Sequence, residues 1–424
     1  MASTSKMRIA VIDRGFVSPY FGEFFTILNQ AADREYVVFH GDPPRWVGLQ
    51  AAPEPYAFPA VRVDNIELFR TAIYQPLVRE VTSGRYDAVI LGHELKFLSN
   101  WIVAPLCKAR RIPVILWGYG YHAPRGIGYR ANASRMWSTF ASNAKDWLAR
   151  WADGYLAYTE RGAERMLGLD LPCGIYVVRP SVNVHVQIEL HEQLRSENQA
   201  ALRRRLGLRP DSITFLYVGR LVEAKNVSRL IEVVAQLNAT VTTTRAVEAR
   251  IIGGGDCFEA LRDQARPVDG VEVLGEIYDQ AQLAPYFVAS DALLLPGAAG
   301  ITVTHAFSYG LPVIMARSPL HSPEADYVVD GYNGLIAADD RGLLETAGRF
   351  VNEPTTRRDL ASGALATREK FSMEHMAHQF HHAVDEVLRA RRQQGVNGRA
   401  YGTAWRVPRY AREQGHARPR NDDS

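Results

Sequence analysis

Short runs of apolar, β-branched residues alternate with longer stretches of helical spacing along most of the chain, and this alternation most limits the fold. A strand that is followed by a helix returns to its sheet as a parallel neighbour, so repeated β–α–β units build parallel sheets covered by helices. Strands are read at 8–13, 36–40, 87–91, 113–117 and 154–157, and again at 214–218, 249–252, 271–274, 292–295 and 312–315. A charge-rich helical stretch at 187–208 separates the two sets and stops at Gly207-Leu-Arg-Pro210. With 424 residues the chain exceeds what one core usually organises. The expected fold class is therefore α/β, with two doubly wound, Rossmann-like domains at 1–185 and 186–371. A late helix is read at about 372–392, and a basic tail at 393–424.

Composition excludes several alternatives. The apolar share of 47% and charged share of 22% are those of a globular chain. Cys107, Cys173 and Cys257 lie far apart, without a CxxC pair, so neither a disulfide framework nor a zinc site is expected. The opening Met1-Ala-Ser-Thr-Ser-Lys leads directly into the first strand without a signal-peptide pattern, and a cytoplasmic setting is expected. No apolar run reaches the roughly 20 residues of a spanning helix, so any membrane contact is expected to be peripheral. The formal net charge of +3 conceals a basic stretch from Arg389 to Ser424 with nine arginines against Glu413, Asp422 and Asp423, read as a solvated, partly disordered end or an electrostatic contact with anionic headgroups. No nucleic-acid partner is expected.

Three segments of the second half carry chemistry. In Leu216-Tyr-Val-Gly-Arg-Leu-Val-Glu-Ala-Lys-Asn226, a strand ends at Gly219 and places Arg220 and Lys225 where open α/β sheets bind ligands. A guanidinium fork and a point-charge ammonium suit a diphosphate, although two arbitrary cations are more often solvated. Arg250-Ile-Ile-Gly-Gly-Gly-Asp256 runs a strand into Gly253, Gly254 and Gly255, either for ligand approach or for a tight turn. In Leu295-Pro-Gly-Ala-Ala-Gly-Ile-Thr-Val-Thr-His-Ala-Phe-Ser-Tyr-Gly-Leu-Pro-Val-Ile314, small residues open a helix whose first amides are unpaired. His305 lies inside that helix, and taken alone it reads as an ordinary structural histidine.

Together these segments resemble the donor-binding domain of glycosyltransferase family 4, with its G-R-L-x-x-x-K-N run at 219–226, its glycine-rich turn at 253–255, its G-x-P-V-I ending at 310–314 and its D-G-x-N-G turn at 330–334. The resemblance implies the GT-B architecture, in which the two domains face each other across a cleft and the last helix returns to the first domain. It implies transfer of a sugar from a nucleotide diphosphate donor to a hydroxyl acceptor with retention of configuration. No metal or other cofactor is expected, because Arg220, Lys225 and helix-end amides would offset the leaving charge. Donor contacts would come from Gly219, Gly253, Gly254, Gly297, Ala298, Ala299, Gly300, Ile301 and Thr302, with the nucleobase at Glu276 and Ile277. The family carries two glutamates where this chain has Gly297 and His305, which marks a variant branch. In it His305 would bond ribose hydroxyls or donate to phosphate as imidazolium.

The first half resembles the family only in layout. Gly22 is the one residue of the first strand-to-helix loop region expected to approach the donor. His93, Tyr119 and His122 follow strand ends and are expected to touch sugar or acceptor, with Tyr119 and His122 also candidates for catalysis. The stretch 130–151 is helical, basic and tryptophan-rich, with Trp137, Trp147 and Trp151, and reads either as a membrane-facing surface or as buried aromatics with solvated cations. The expected role is surface polysaccharide or glycolipid assembly, with sugar, glycolipid or small-molecule acceptors. Natural-product glycosylation, a sugar-nucleotide 2-epimerase of the same architecture and a non-catalytic sugar-nucleotide-binding partner are the alternatives.

Overall fold

The computed structural model describes residues 6–45, 50–68, 71–120, 135–181, 183–240, 245–318 and 320–397. Among them are two parallel sheets. The first is built from β1 (Met7–Ile12), β2 (Arg34–His40), β3 (Ala60–Arg62), β6 (Ala88–Gly92), β7 (Val114–Gly118), β8 (Gly154–Ala157) and β9 (Gly174–Val177), in the order β3-β2-β1-β6-β7-β8-β9. A small antiparallel hairpin, β4 (Ile66–Leu68) with β5 (Ala72–Tyr74), stands apart from it. The second contains β10 (Ile213–Val218), β11 (Val247–Ile252), β12 (Val271–Gly275), β13 (Ala292–Leu295), β14 (Val313–Ala316) and β15 (Gly334–Ala337), in the order β12-β11-β10-β13-β14-β15.

The central strands are buried along almost their whole length because helices cover both faces. In β10 only Val218 is not fully buried, and Leu216 pairs with Arg250 on one side and Leu293 on the other. In the first sheet Ile9 stands between Tyr36 and Ala88. Each sheet reverses its strand order beside its first strand, between β1 and β6 and between β10 and β13. A crevice opens at such a reversal, beyond the carboxyl ends of the strands.

All ten strands read from the sequence are present, within two residues at each end. The edge strands β3, β9 and β15 and the hairpin escaped that reading. β9 and β15 have four residues each and begin with glycine, too short for a pattern. The single helical stretch read at 187–208 is two helices, His185–Arg195 and Gln199–Arg205, because the Asn198 side chain accepts from the amide of Ala201 (3.1 Å) and starts a new helix.

The last helix, Met373–Asn397, packs into the core of the first sheet. Phe380 is fully buried and meets Phe24, Tyr36 and Trp117 at ring separations of 5.5, 5.9 and 5.1 Å. Gly154 makes room for Val387, whose Cγ2 would lie 2.2 Å from a Cβ there. Arg34 donates to Asp385 at 2.7 Å, and the Tyr36 hydroxyl meets His381 Nδ1 at 3.0 Å. The helix thus ties the end of the second sheet's chain to the first. Phe380→Ala is expected to cost about 3–5 kcal/mol in urea unfolding followed by tryptophan fluorescence.

Candidate functional site

The site is built from loops that leave the carboxyl ends of strands in both sheets. After β10, Gly219 donates to Ile252 O (3.0 Å), and Leu221 donates to Gly254 O (2.7 Å) and accepts from Cys257 N (2.9 Å). A Cβ on Gly253 (φ 149°) would fall 1.9 Å from Gly219 O, and one on Gly255 (φ 144°) 2.5 Å from Leu221 O. Gly253 and Gly255 are therefore glycine so that two neighbouring loops can touch backbone to backbone. Gly254 faces Glu276 instead, whose Oε1 would lie 2.4 Å from a Cβ there. Glu276 is exposed and Ile277 packs against the core of the second sheet.

Lys225 ends a short 3-10 turn, Glu223–Lys225, and Asn226 follows in the left-handed region at φ 48°. The Lys225 ammonium donates to Ala298 O at 2.6 Å, which joins the loop after β10 to the loop after β13. Burial pushes its pKa down to about 8, with the charge of Arg220 acting in the same direction and Glu324 opposing both. Arg220 is exposed at the mouth of the site, held through its backbone carbonyl by the Tyr217 hydroxyl (3.0 Å).

Gly297 explains itself in this geometry. A Cβ there would lie 2.6 Å from Ala224 O and from the backbone of Lys225, so the position that holds a glutamate in the resembled family has no room for any side chain. Ala298 and Ala299 are not open to a ligand through their amides, contrary to expectation. Ala298 N donates to Ala224 O (3.0 Å), and Ala299 N donates to His321 Nδ1 (2.9 Å). His321 in turn donates from Nε2 to Ala316 O (2.9 Å), which fixes its neutral tautomer. Thr302 Oγ1 donates to Val218 O (2.9 Å). The amides of Gly300, Ile301 and Thr302 meet no acceptor among the described residues, where the helix Thr302–Ser308 begins.

His305 lies one turn beyond Ile301 in that helix, half-buried, its ring without a described partner. Burial lowers its pKa to about 4, so it is neutral near pH 7. Of the two roles expected of His305, bonding ribose hydroxyls suits a neutral imidazole, which donates from one nitrogen and accepts at the other.

Across the crevice, a cavity of about 130 Å³ is lined by Arg14, Tyr119 and Tyr158 from the first sheet and by Ile301, Thr304 and Glu324 from the second. The volume is well below the roughly 300–1,000 Å³ of a whole ligand site and has room for no more than one moiety of a larger molecule. Arg14 pairs with the buried Asp13 (3.2 Å) and lies over the Phe21 ring. Burial works against the Arg14 charge, but Asp13 and the tyrosines outweigh it. Tyr119 stands edge-on to Tyr158 at 4.9 Å.

Two first-half expectations change. His93 is buried, its Nδ1 accepting from the Tyr155 hydroxyl (2.7 Å) and its Nε2 donating to Lys145 O (2.9 Å). Burial brings its pKa to about 3, so it is a neutral structural residue with no nitrogen left for a sugar. Through Tyr155, which also accepts from Gly120 N (2.9 Å), it braces the loop that carries Tyr119. Gly22 sits within the helix Pro19–Leu28, where a Cβ would meet Ala52 at 3.3 Å, so it serves packing. His122 lies outside the described residues. Arg14, Tyr158 and His321 were not singled out in the sequence, and Glu324 stood out there only as part of Pro323-Glu324, downstream of the variant helix, with no role assigned. Each follows a strand end, and that was the only available signal.

Among the described residues, no cluster of three His, Cys, Asp or Glu side chains is placed to hold a metal ion, and no helix is long and apolar enough to cross a membrane. In the tryptophan-rich helix Arg135–Ala149, Lys145 and Leu148 are buried while Trp147 is 49% exposed and stacks on Trp101 at 5.9 Å. Trp151 is partly buried against the core of the first sheet and Arg150 is exposed, so Trp147 is the aromatic that this stretch turns outward among its described side chains.

Residues 198–365 match the family described as Glycosyl transferases group 1. A D-inositol 3-phosphate glycosyltransferase of Nocardioides sp. is 28% identical over 57% of this chain, and the match spans about half of that relative's length (54%). The alpha-monoglucosyldiacylglycerol synthase of Acholeplasma laidlawii is 22% identical over 73% of this chain and 78% of its own. Among solved structures, Anabaena HepE in complex with UDP superposes with a TM-score of 0.61 at 17% identity, covering 90% of this chain and all of that one, and the same protein is also known in complex with UDP-glucose. The fold is GT-B, and the matched carboxyl-terminal domain is that of a glycosyltransferase.

Because Gly297 touches backbone, Gly297→Ala is expected to lower stability by about 1–3 kcal/mol in chemical denaturation. Unchanged stability would contradict the close approach.

Proposed function

We propose that this chain is a retaining, metal-independent glycosyltransferase that moves a sugar from a nucleotide diphosphate sugar to a hydroxyl acceptor, in surface polysaccharide or glycolipid assembly. The observation that carries the reading is Lys225, a largely desolvated ammonium whose one described hydrogen-bond partner is a neutral carbonyl, beside Arg220 and the open amides of Gly300, Ile301 and Thr302. A buried charge is costly unless an opposite charge completes its surroundings, and a diphosphate does so. The base would lie along Gly254 and Gly275 to Ile277, and the UDP complexes of HepE favour a uridine nucleotide. The A. laidlawii synthase favours a glycolipid product. The half-exposed Trp147 beside Trp101 suits peripheral contact at the cytoplasmic membrane face.

In the reaction the bond between the anomeric carbon and the phosphate oxygen breaks, and a bond to the acceptor oxygen forms on the same face. The acceptor proton passes to the departing diphosphate. Lys225 and Arg220 stabilise charge as it grows on the leaving group, which is the contribution a metal would otherwise make. Neutral His305 bonds ribose hydroxyls, and Tyr119 bonds sugar or acceptor oxygens.

Lys225→Ala and Arg220→Ala are each expected to lower kcat/KM by on the order of 10²–10³ with unchanged circular dichroism, whereas EDTA leaves turnover intact. Full activity in both variants would refute the reading. Because the Lys225 pKa is lowered to about 8, the ammonium is present below that pH and lost above it, so nucleoside diphosphate affinity falls as pH rises through about 8.

A further inference from the structure

The loss of a carboxylate at position 297 leaves open how the transferred sugar is recognised. Its hydroxyls are hydrogen-bond donors, and a site that tells one hexose from another needs an acceptor in fixed geometry. Backbone contact at Gly297 rules out a replacement there. Among the described residues that line the cavity, Glu324 is the one carboxylate. The Thr304 hydroxyl, on the same wall, spends its proton on Ile301 O (2.6 Å) and is left as a neutral acceptor, weaker than a carboxylate.

Glu324 is fixed from below. It is the second residue of the short turn Pro323–Tyr327, and its Oε2 faces the Ser322 hydroxyl, which also lies 3.1 Å from Ala299 O. Oε1 has no described partner. The turn is anchored to the first domain, because the Tyr327 hydroxyl donates to Pro180 O (2.8 Å). Gly300 lies between the cation and this turn: a Cβ on it would be 3.5 Å from Lys225 Nζ and 3.9 Å from Ser322 Oγ. A diphosphate held at Lys225 therefore places its attached sugar toward Glu324, in a cavity of about 130 Å³ that admits one moiety.

Resting on the function proposed above, we infer that Glu324 accepts hydrogen bonds from the hydroxyls of the transferred sugar, replacing from a different loop the carboxylate that position 297 cannot hold, and so selects among hexoses. One carboxylate on a rigid turn accepts well from hydroxyls in one orientation and poorly from their epimers.

The test is calorimetry on the full chain. UDP, GDP, ADP and dTDP identify the nucleotide that wild-type protein binds, and binding of none of them would overturn the transferase reading and this inference together. The chosen nucleoside diphosphate is then compared with its glucose, galactose and mannose conjugates in wild type, Glu324→Gln and Glu324→Ala. The expected result is nucleotide affinity within about threefold of wild type, a loss of at least about tenfold for the best conjugate, and a flattened preference among epimers. Equal effects on nucleotide and conjugates, or no effect on either, would overturn the role of Glu324 and leave the transferase reading standing. Should Glu324→Ala unfold, the isosteric Glu324→Gln carries the comparison, since it keeps volume and removes the charge.

Discussion

The contact between the Lys225 ammonium and Ala298 O, at 2.6 Å, holds the site together. It joins the loop after β10 to the loop after β13, the two strands that flank the order reversal of the second sheet. Around it the backbones come as close as glycine permits: Gly297 against Ala224 and Lys225, Gly253 against Gly219, Gly255 against Leu221. The result is a cation in fixed position that has surrendered much of its water for one neutral oxygen and a partial offset from Glu324, too little to restore its ordinary pKa. Such a group raises the free energy of the empty protein and lowers that of the anion complex, which is how a binding site stores its preference.

The sheets supply the rest of the arrangement. Both reverse order beside their first strand, so both open a crevice at their carboxyl ends, and residues following β1, β7, β8, β13 and β14 meet at one cavity. The helix Met373–Asn397 carries the end of the chain back into the first core through Phe380 and Val387. Because Tyr327 reaches Pro180 O as well, the turn that bears Glu324 is referenced to both domains. The recognition of one moiety across a crevice then depends on how the domains meet.

Much of this was legible in the residues. Continuous apolar runs such as Ala88–Leu91 declare strands buried on both faces, and the rule that ligands gather at carboxyl strand ends pointed to Arg220 and Lys225. What stayed hidden was relational. A glycine after a strand looks the same whether it admits a ligand or a neighbouring loop, so Gly253 read as a ligand contact and serves loop packing. His93 immediately follows the strand that ends at Gly92, and nothing local shows that Tyr155 and Lys145 consume both its nitrogens. Arg14 and Glu324 are more than three hundred positions apart, and only the folded crevice makes them neighbours. Short strands that begin at glycine, β9 and β15, have too few residues to show a period.

The most direct measurement is the pKa of Lys225 itself, followed by NMR of its labelled side chain with and without nucleoside diphosphate. The account predicts a midpoint near 8 in the free protein that moves upward on binding, as the anion completes the surroundings of the ammonium. A midpoint that begins at the ordinary lysine value, or that does not move when the nucleotide binds, would contradict it.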